Sequence, residues 1–247
     1  MRKLVQQILL LFASSALAQS PAGGGGLAVL TSIGWYEPSF SYYNEQYASL
    51  DDVPFTNDVA NSYVIPEIGG SREYAIGARW RFRTLPQLAL GVNVSTMDAG
   101  VRTLLDNPPK PGEQDHPLYS HEISLTPVFL SLYYHAPLSN LAQIYFGQGV
   151  GLVWVKETVN ITAEDGATVF EDGSNSTGLL FQPLIGLQHK FAGESFVFAE
   201  AQYVLGGYSS QGWTQPRDPF KSTFIRRGSV SLNGPRIWLG IGFALTN

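Results

Sequence analysis

Glu73-Tyr-Ala-Ile-Gly-Ala-Arg-Trp-Arg-Phe-Arg83 is the stretch on which the fold turns. Tyr74, Ile76, Ala78, Trp80 and Phe82 take alternate positions, and Ala75, Gly77, Arg79, Arg81 and Arg83 take the others. Successive side chains of a strand point to opposite faces, so this segment reads as a strand with one apolar, aromatic face and one face of small and cationic residues.

The same alternation recurs along the chain. Leu88, Leu90, Val92 and Val94 oppose Ala89, Gly91, Asn93 and Ser95. From Ile144 to Val155, Gly147, Gly149 and Gly151 share a face. Leu179, Phe181, Ile185 and Leu187 oppose Gly178, Gln182, Gly186 and Gln188, and Val197, Ala199, Ala201 and Tyr203 oppose Glu200 and Gln202. Ile237, Leu239, Ile241 and Phe243 oppose Arg236, Trp238, Gly240 and Gly242. Leu27 to Tyr36 opens the series, and Ile123 to Tyr134 belongs to it with its phase left open, because both of its faces are apolar beyond Val128.

The links between these segments alternate in length. Thr84 to Gln87, His135 to Ala142 and Ala192 to Glu194 are short, whereas 37–72, 98–120, 156–176 and 208–228 are long and rich in Gly, Pro, Asn, Asp and Ser. Tight and long links in alternation describe an antiparallel meander of about eight strands with both chain ends on the tight-turn side. The fold class is therefore all-β, an up-and-down antiparallel barrel.

Which face meets the surroundings follows from polarity. A soluble lipocalin-like barrel turns apolar residues inward, and a secreted β-sandwich needs its apolar faces packed together. Here Arg, Glu, Gln, Asn and Gly share one face, and segments of about ten residues suit tilted strands in a bilayer. In hydrocarbon every backbone group must pair internally, which closing the sheet achieves. Composition agrees: aromatics are 13%, charged residues only 14%, and Gly numbers 26. With 0 Cys, neither disulfides nor a cysteine-ligated metal can form. A formal net charge of -5 without a long basic run argues against nucleic acid as a partner.

The N-terminus sets the compartment. Arg2 and Lys3 precede an apolar run through Ile8, Leu9, Leu10, Leu11 and Phe12, and Ala16-Leu17-Ala18 has the small-x-small form of a signal-peptidase site. The expected organisation is a signal peptide over 1–18, cleaved before Gln19, and a barrel domain over 19–247. The apolar run is shorter than the roughly 20 residues of a spanning helix.

Ser124-Leu-Thr-Pro-Val-Phe-Leu-Ser-Leu-Tyr-Tyr-His135, Ile144-Tyr-Phe-Gly-Gln-Gly-Val-Gly151 and Phe198-Ala-Glu-Ala-Gln-Tyr203 resemble strands of small bacterial outer-membrane barrels of the OmpA, OmpX and OmpW type. The resemblance is one of pattern and extends from Leu27 onward. It implies a transmembrane eight-stranded barrel in a Gram-negative-type outer membrane, assembled by the barrel-assembly machinery. Its expected partners are outer-membrane lipid, lipopolysaccharide and an extracellular ligand, and its expected state is monomeric. Such barrels often end on an aromatic residue; this sequence ends Phe243-Ala-Leu-Thr-Asn247, with Phe243 as a displaced terminal signal and no peptidoglycan-binding domain expected beyond it.

Candidate sites are few. Gly147-Gln-Gly-Val-Gly151 lacks the strand–turn–helix setting of a phosphate loop, and inward glycines simply make room for large neighbours. His116, His121, His135 and His189 are spread along the chain and predict no metal site and no cofactor. His121 with Ser120 and Glu122 has the residue types of a lipid A-modifying enzyme, but neighbours on a strand point apart, so no catalytic residues are assigned and no enzyme is expected. Glu164-Asp165-Gly166 and Glu171-Asp172-Gly173 read as solvated turns, without ligands enough for Ca²⁺. Arg217, Lys221, Arg226 and Arg227 form a basic cluster suited to lipopolysaccharide phosphates. Phe40, Tyr42, Tyr43, Tyr47, Phe55 and Tyr63 either present a recognition surface or cap the barrel mouth. On the polar face, Arg79, Arg81, Glu200 and Arg236 are expected to form an ion-pair cluster in the lumen.

The functional expectation is a non-enzymatic scaffold whose outer loops serve envelope structure or surface contact. The alternative implied by OmpW-like barrels is a narrow, porin-like conduit for small or hydrophobic solutes. The interior of an eight-stranded barrel is just wide enough to be filled by side chains, which weighs against an open pore.

Overall fold

The computed structural model describes residues 26–50, 67–104, 118–162, 167–212 and 227–245. The segment 1–18 read as a signal peptide, His116, Glu164-Asp165-Gly166, Phe55, Tyr63, Arg217, Lys221 and Arg226 lie outside these residues.

The described chain forms β1 (Gly26–Tyr36), helix α1 (Ser41–Leu50), β2 (Ser71–Arg81), β3 (Leu88–Leu104), β4 (Leu118–Pro137), β5 (Ala142–Thr162), β6 (Thr168–Ala192), β7 (Ser195–Ser210), β8 (Gly228–Ser231) and β9 (Gly234–Leu245). Each strand pairs antiparallel with its neighbour, and β1 closes the ring against β9 with Leu27 opposite Leu245 and Tyr36 opposite Arg236. β8 and β9 both pair with β7, so they are one interrupted strand and the ring holds eight.

The interruption has a local cause. Gly206 on β7 has φ +126°, a conformation that costs glycine little and other residues much. Its carbonyl accepts from Leu232 N at 2.9 Å, and its own N–H donates to Asn233 Oδ1 at 2.8 Å. Both backbone groups of Gly206 are thus satisfied across the gap at Leu232-Asn233, and the register of β7 against β8 and β9 runs on unbroken.

Two segments read as loops are walls instead. The 156–176 link is largely strand, with β5 running to Thr162 and β6 starting at Thr168; Glu171-Asp172-Gly173 therefore lies in β6 rather than in a turn. The 98–120 link narrows likewise, because β3 continues to Leu104 and β4 begins at Leu118. Val155, Glu157 and Val159 face inward there, whereas Lys156 faces outward and is exposed. Above the apolar part of the wall an outward residue meets water, so a polar outer face no longer marks the end of a strand.

The open phase of β4 resolves on the odd positions. Tyr119, His121, Ile123, Leu125, Phe129, Ser131, Tyr133 and His135 are buried inside, and Glu122, Leu130, Leu132 and Tyr134 face out. Its apolar inward residues join a core that fills the long-loop half of the lumen, with Tyr36, Phe40, Met97, Val153 and Leu180 among its members.

The outer wall is apolar and uncovered. Leu239 and Val150 are each 60% exposed and Leu179 is 74% exposed. Trp35 and Tyr74 stand towards the long-loop end of this belt, and Trp80, Tyr134, Phe146 and Phe243 towards the short-turn end. On β5 the outer face is mostly apolar from Ile144 to Trp154 and turns to Lys156, a span matching the ~9–11 residues with which a tilted strand crosses a bilayer.

Candidate functional site

Inward residues of the ring stack in layers, and polar side chains hold three of them. Nearest the short turns, Arg81 donates from Nη2 to Gln143 Oε1 at 2.9 Å and lies 3.3 Å from His135 Nδ1. Arg81 sits two residues from Arg79 on β2, so strand periodicity brings both into the lumen.

The next layer centres on Glu200. Its carboxylate accepts from Arg79 Nη2 at 3.3 Å, from Tyr145 Oη at 2.9 Å and from Gln202 Nε2 at 2.5 Å. The Arg79 guanidinium lies over the Tyr133 ring, 3.9 Å from its centroid, and 4.6 Å from that of Tyr145. Tyr133 in turn accepts from Asn93 Nδ2 at 3.0 Å. Gly186 makes the layer possible, because a Cβ there would lie 2.2 Å from the Tyr145 ring.

The third layer belongs to Arg236 and Glu73. Arg236 Nε lies 2.9 Å from Glu73 Oε2, a charge contact rather than an aligned hydrogen bond, and both side chains are fully buried. Trp238 Nε1 donates to the same carboxylate at 2.9 Å, and Arg236 Nη1 donates to Gln182 and Gln202 at 3.2 and 3.3 Å. Tyr36 presents its ring 4.5 Å from the guanidinium. Each ion is thus held by neutral donors or acceptors as well as its partner, which is what desolvated charges require.

The four lumenal residues singled out from sequence are therefore divided. Arg79 and Glu200 meet, Arg236 takes Glu73, and Arg81 turns to Gln143 and His135. Glu73 was legible as an inward residue, because it shares parity with Ala75, Gly77 and Arg79 in the Glu73–Arg83 stretch. No sequence signal marked it as the partner of Arg236.

At the opposite end α1 is drawn into the mouth. Phe40 and Tyr43 are fully buried, and Tyr43 and Tyr208 both donate short hydrogen bonds to Glu157 Oε1. Ser174 and Ser210 donate to Glu157 Oε2 at 3.0 and 3.2 Å. Burial first, and the Glu157 charge second, push the Tyr43 phenol far above its usual range, so it remains a donor. Asn44 Oδ1 accepts from Ile68 N at 2.9 Å and ties the start of the helix to the far side of its loop. Phe40 and Tyr43 are thus a cap, while the side chain of Tyr47 lies outside the described residues. Glu157 escaped the sequence reading because its segment was taken for a loop.

Other candidates disperse. His121 is buried with its ring 4.8 Å from that of Tyr43, His135 lines the short-turn end, and His189 faces outward. Glu122 is exposed on the face opposite His121. Among the described residues no three His, Asp or Glu side chains are grouped to hold a metal. Arg227 is exposed just before β8.

No protein-family model and no curated protein matches the chain. Among solved structures it is similar to small outer-membrane β-barrels. The crystal structure of the outer-membrane protein OprG from Pseudomonas aeruginosa shares 11% identity, with a TM-score of 0.49 over 92% of this chain and 99% of that one. Neisserial surface protein A shares 12% identity, with a TM-score of 0.40 over 91% of this chain and 99% of that one. The outer-membrane protein AlkL in DMPC bilayers shares 12%, with a TM-score of 0.35 over 93% and 94% of the two chains. The likeness is one of fold, and no residue role passes across it.

Proposed function

We propose that this chain is an integral outer-membrane barrel with a sealed lumen, a non-enzymatic scaffold that holds its long loops at the cell surface. One observation carries the reading: polarity is inverted, with ion-paired layers packed inside and an uncovered apolar wall outside. In water that wall would cost roughly 25 cal/mol for each Å² of apolar surface left wet, whereas in a bilayer it is at home. Arg236, Glu73, Phe129 and Leu180 are all buried within the barrel, which supports the sealed reading. Export belongs to the same reading, and N-terminal sequencing of membrane-extracted protein should begin at or near Gln19. Contact of Arg227 and its basic neighbours with lipopolysaccharide phosphates is a further part of it.

Single-channel recording in planar bilayers tests the sealed lumen. Silence is expected, and steady openings would overturn it. A second reading, a conduit for small hydrophobic solutes, has its own support at the β6–β7 seam. A cleft of about 730 Å³ there is lined by inward Tyr208 and Val230 together with outward Leu152, Leu179 and Leu205. Uptake of an apolar dye into vesicles that requires the barrel, with ionic conductance absent, would favour that reading.

A further inference from the structure

The short-turn end of the lumen carries more positive charge than its carboxylates balance. Arg79 and Arg81 point inward from β2, and Lys190 stands on the inward parity of β6, one step beyond the buried Gln188. Glu200 is the carboxylate in this layer and is taken by Arg79, while Glu194 sits exposed on the β6–β7 turn. The remaining polar neighbours, Gln143, Gln188, Tyr133 and Tyr145, are neutral. A cation excess in a poorly hydrated space is costly unless something compensates it.

Donors are left over as well as charge. Arg79 is 5% exposed, yet its Nε and Nη1 have no hydrogen-bond partner among the described residues. His135 is 3% exposed and its Nε2 has none among them either, since its ring engages Gln143 and Arg81 through Nδ1. Arg81 is half-buried, so it bridges this inner group and the open end. The Arg236–Glu73–Trp238 layer closes the far side.

We propose that this end of the lumen is a binding site for a small tetrahedral oxyanion of the phosphate or sulfate class, held chiefly by Arg81 with Lys190 and His135. An oxyanion brings several acceptor oxygens, which match the planar donor fork of arginine and strengthen each hydrogen bond with charge. It must be small, because the buried Arg236–Glu73–Trp238 layer bounds the site above. The site is independent of whether the barrel conducts.

The test is calorimetric titration of inorganic phosphate into the folded full-length barrel in non-ionic detergent, with chloride exchanged to hold ionic strength constant. Saturable binding near one phosphate per barrel is expected. Arg81→Gln should weaken it at least tenfold, and Lys190→Gln should weaken it severalfold. Arg72→Gln, on the exposed outer side of β2, should leave it unchanged. Absence of saturable heat in the parent protein overturns the proposal, as does equal affinity in parent and Lys190→Gln, a variant at a half-buried position that does not depend on Arg81→Gln folding. Repeating the titration in nanodiscs separates the source of the phosphate. Weaker apparent affinity in phosphatidylglycerol than in phosphatidylcholine discs assigns a lipid headgroup, and equal affinity assigns the free ion.

Discussion

Replacing Glu200 by Gln keeps its shape and removes its charge. The wild-type carboxylate accepts from Arg79 at 3.3 Å, Tyr145 at 2.9 Å and Gln202 at 2.5 Å. An amide can offer only its oxygen to these donors, and its NH₂ must face at least one of them. Arg79 would then be a buried cation without a counter-charge among the described residues, where its Nε and Nη1 are already unpartnered. Both side chains of the pair are nearly inaccessible, at 6% and 1%, so solvent screening offers little relief. Breaking one partner out of such a pair costs about 3–5 kcal/mol. The stacking of Arg79 on Tyr133 survives the substitution, which places the expectation towards the lower end, about 3 kcal/mol. Urea unfolding of the barrel in phospholipid vesicles, followed by tryptophan fluorescence and by loss of the folded gel band, measures this directly. Asp98→Asn is the comparison, since Asp98 is exposed and among the described residues accepts from Ser124 Oγ at 2.6 Å; it should cost under about 1 kcal/mol. Equal losses in the two variants would refute the argument that the lumen is poorly hydrated and its ions structurally paired.

Three further substitutions probe the other layers. Leu239→Arg places a cation in the middle of the uncovered wall and should destabilise the membrane-folded barrel by about 2–4 kcal/mol in vesicle unfolding; a neutral result would argue against lipid on that face. Tyr43→Phe deletes one donor to Glu157, and hydrogen exchange of the α1 amides should accelerate roughly five- to tenfold, as loss of about 1–1.5 kcal/mol requires, while the strand amides stay protected. Gly186→Val drives a side chain into Tyr145, where even a Cβ falls at 2.2 Å, and should prevent the folded gel band from forming; a heat-modifiable variant would show that the ring can swing away.

The alternation in Glu73–Arg83 and its repeats was enough to establish strands and faces, because the face a residue occupies is a local property of the backbone with period 2, and the alternating link lengths then gave the barrel. That parity placed Arg79, Arg81, Glu200 and Arg236 inside before any contact was visible. It could not say which arginine meets which carboxylate. Arg236 on β9 reaches Glu73 on β2 across the intervening β1, a contact set by the stagger at which the ring closes, with Tyr36 opposite both Arg236 and Ser71. Strand ends beyond the apolar belt were also out of reach, since Lys156 to Thr162 loses its apolar outer face where the wall enters water. Glu157 stayed hidden for the same reason, and so did its bond with Tyr43. They lie 114 residues apart in sequence, and only the folding of α1 into the mouth of a closed barrel brings the phenol to the carboxylate.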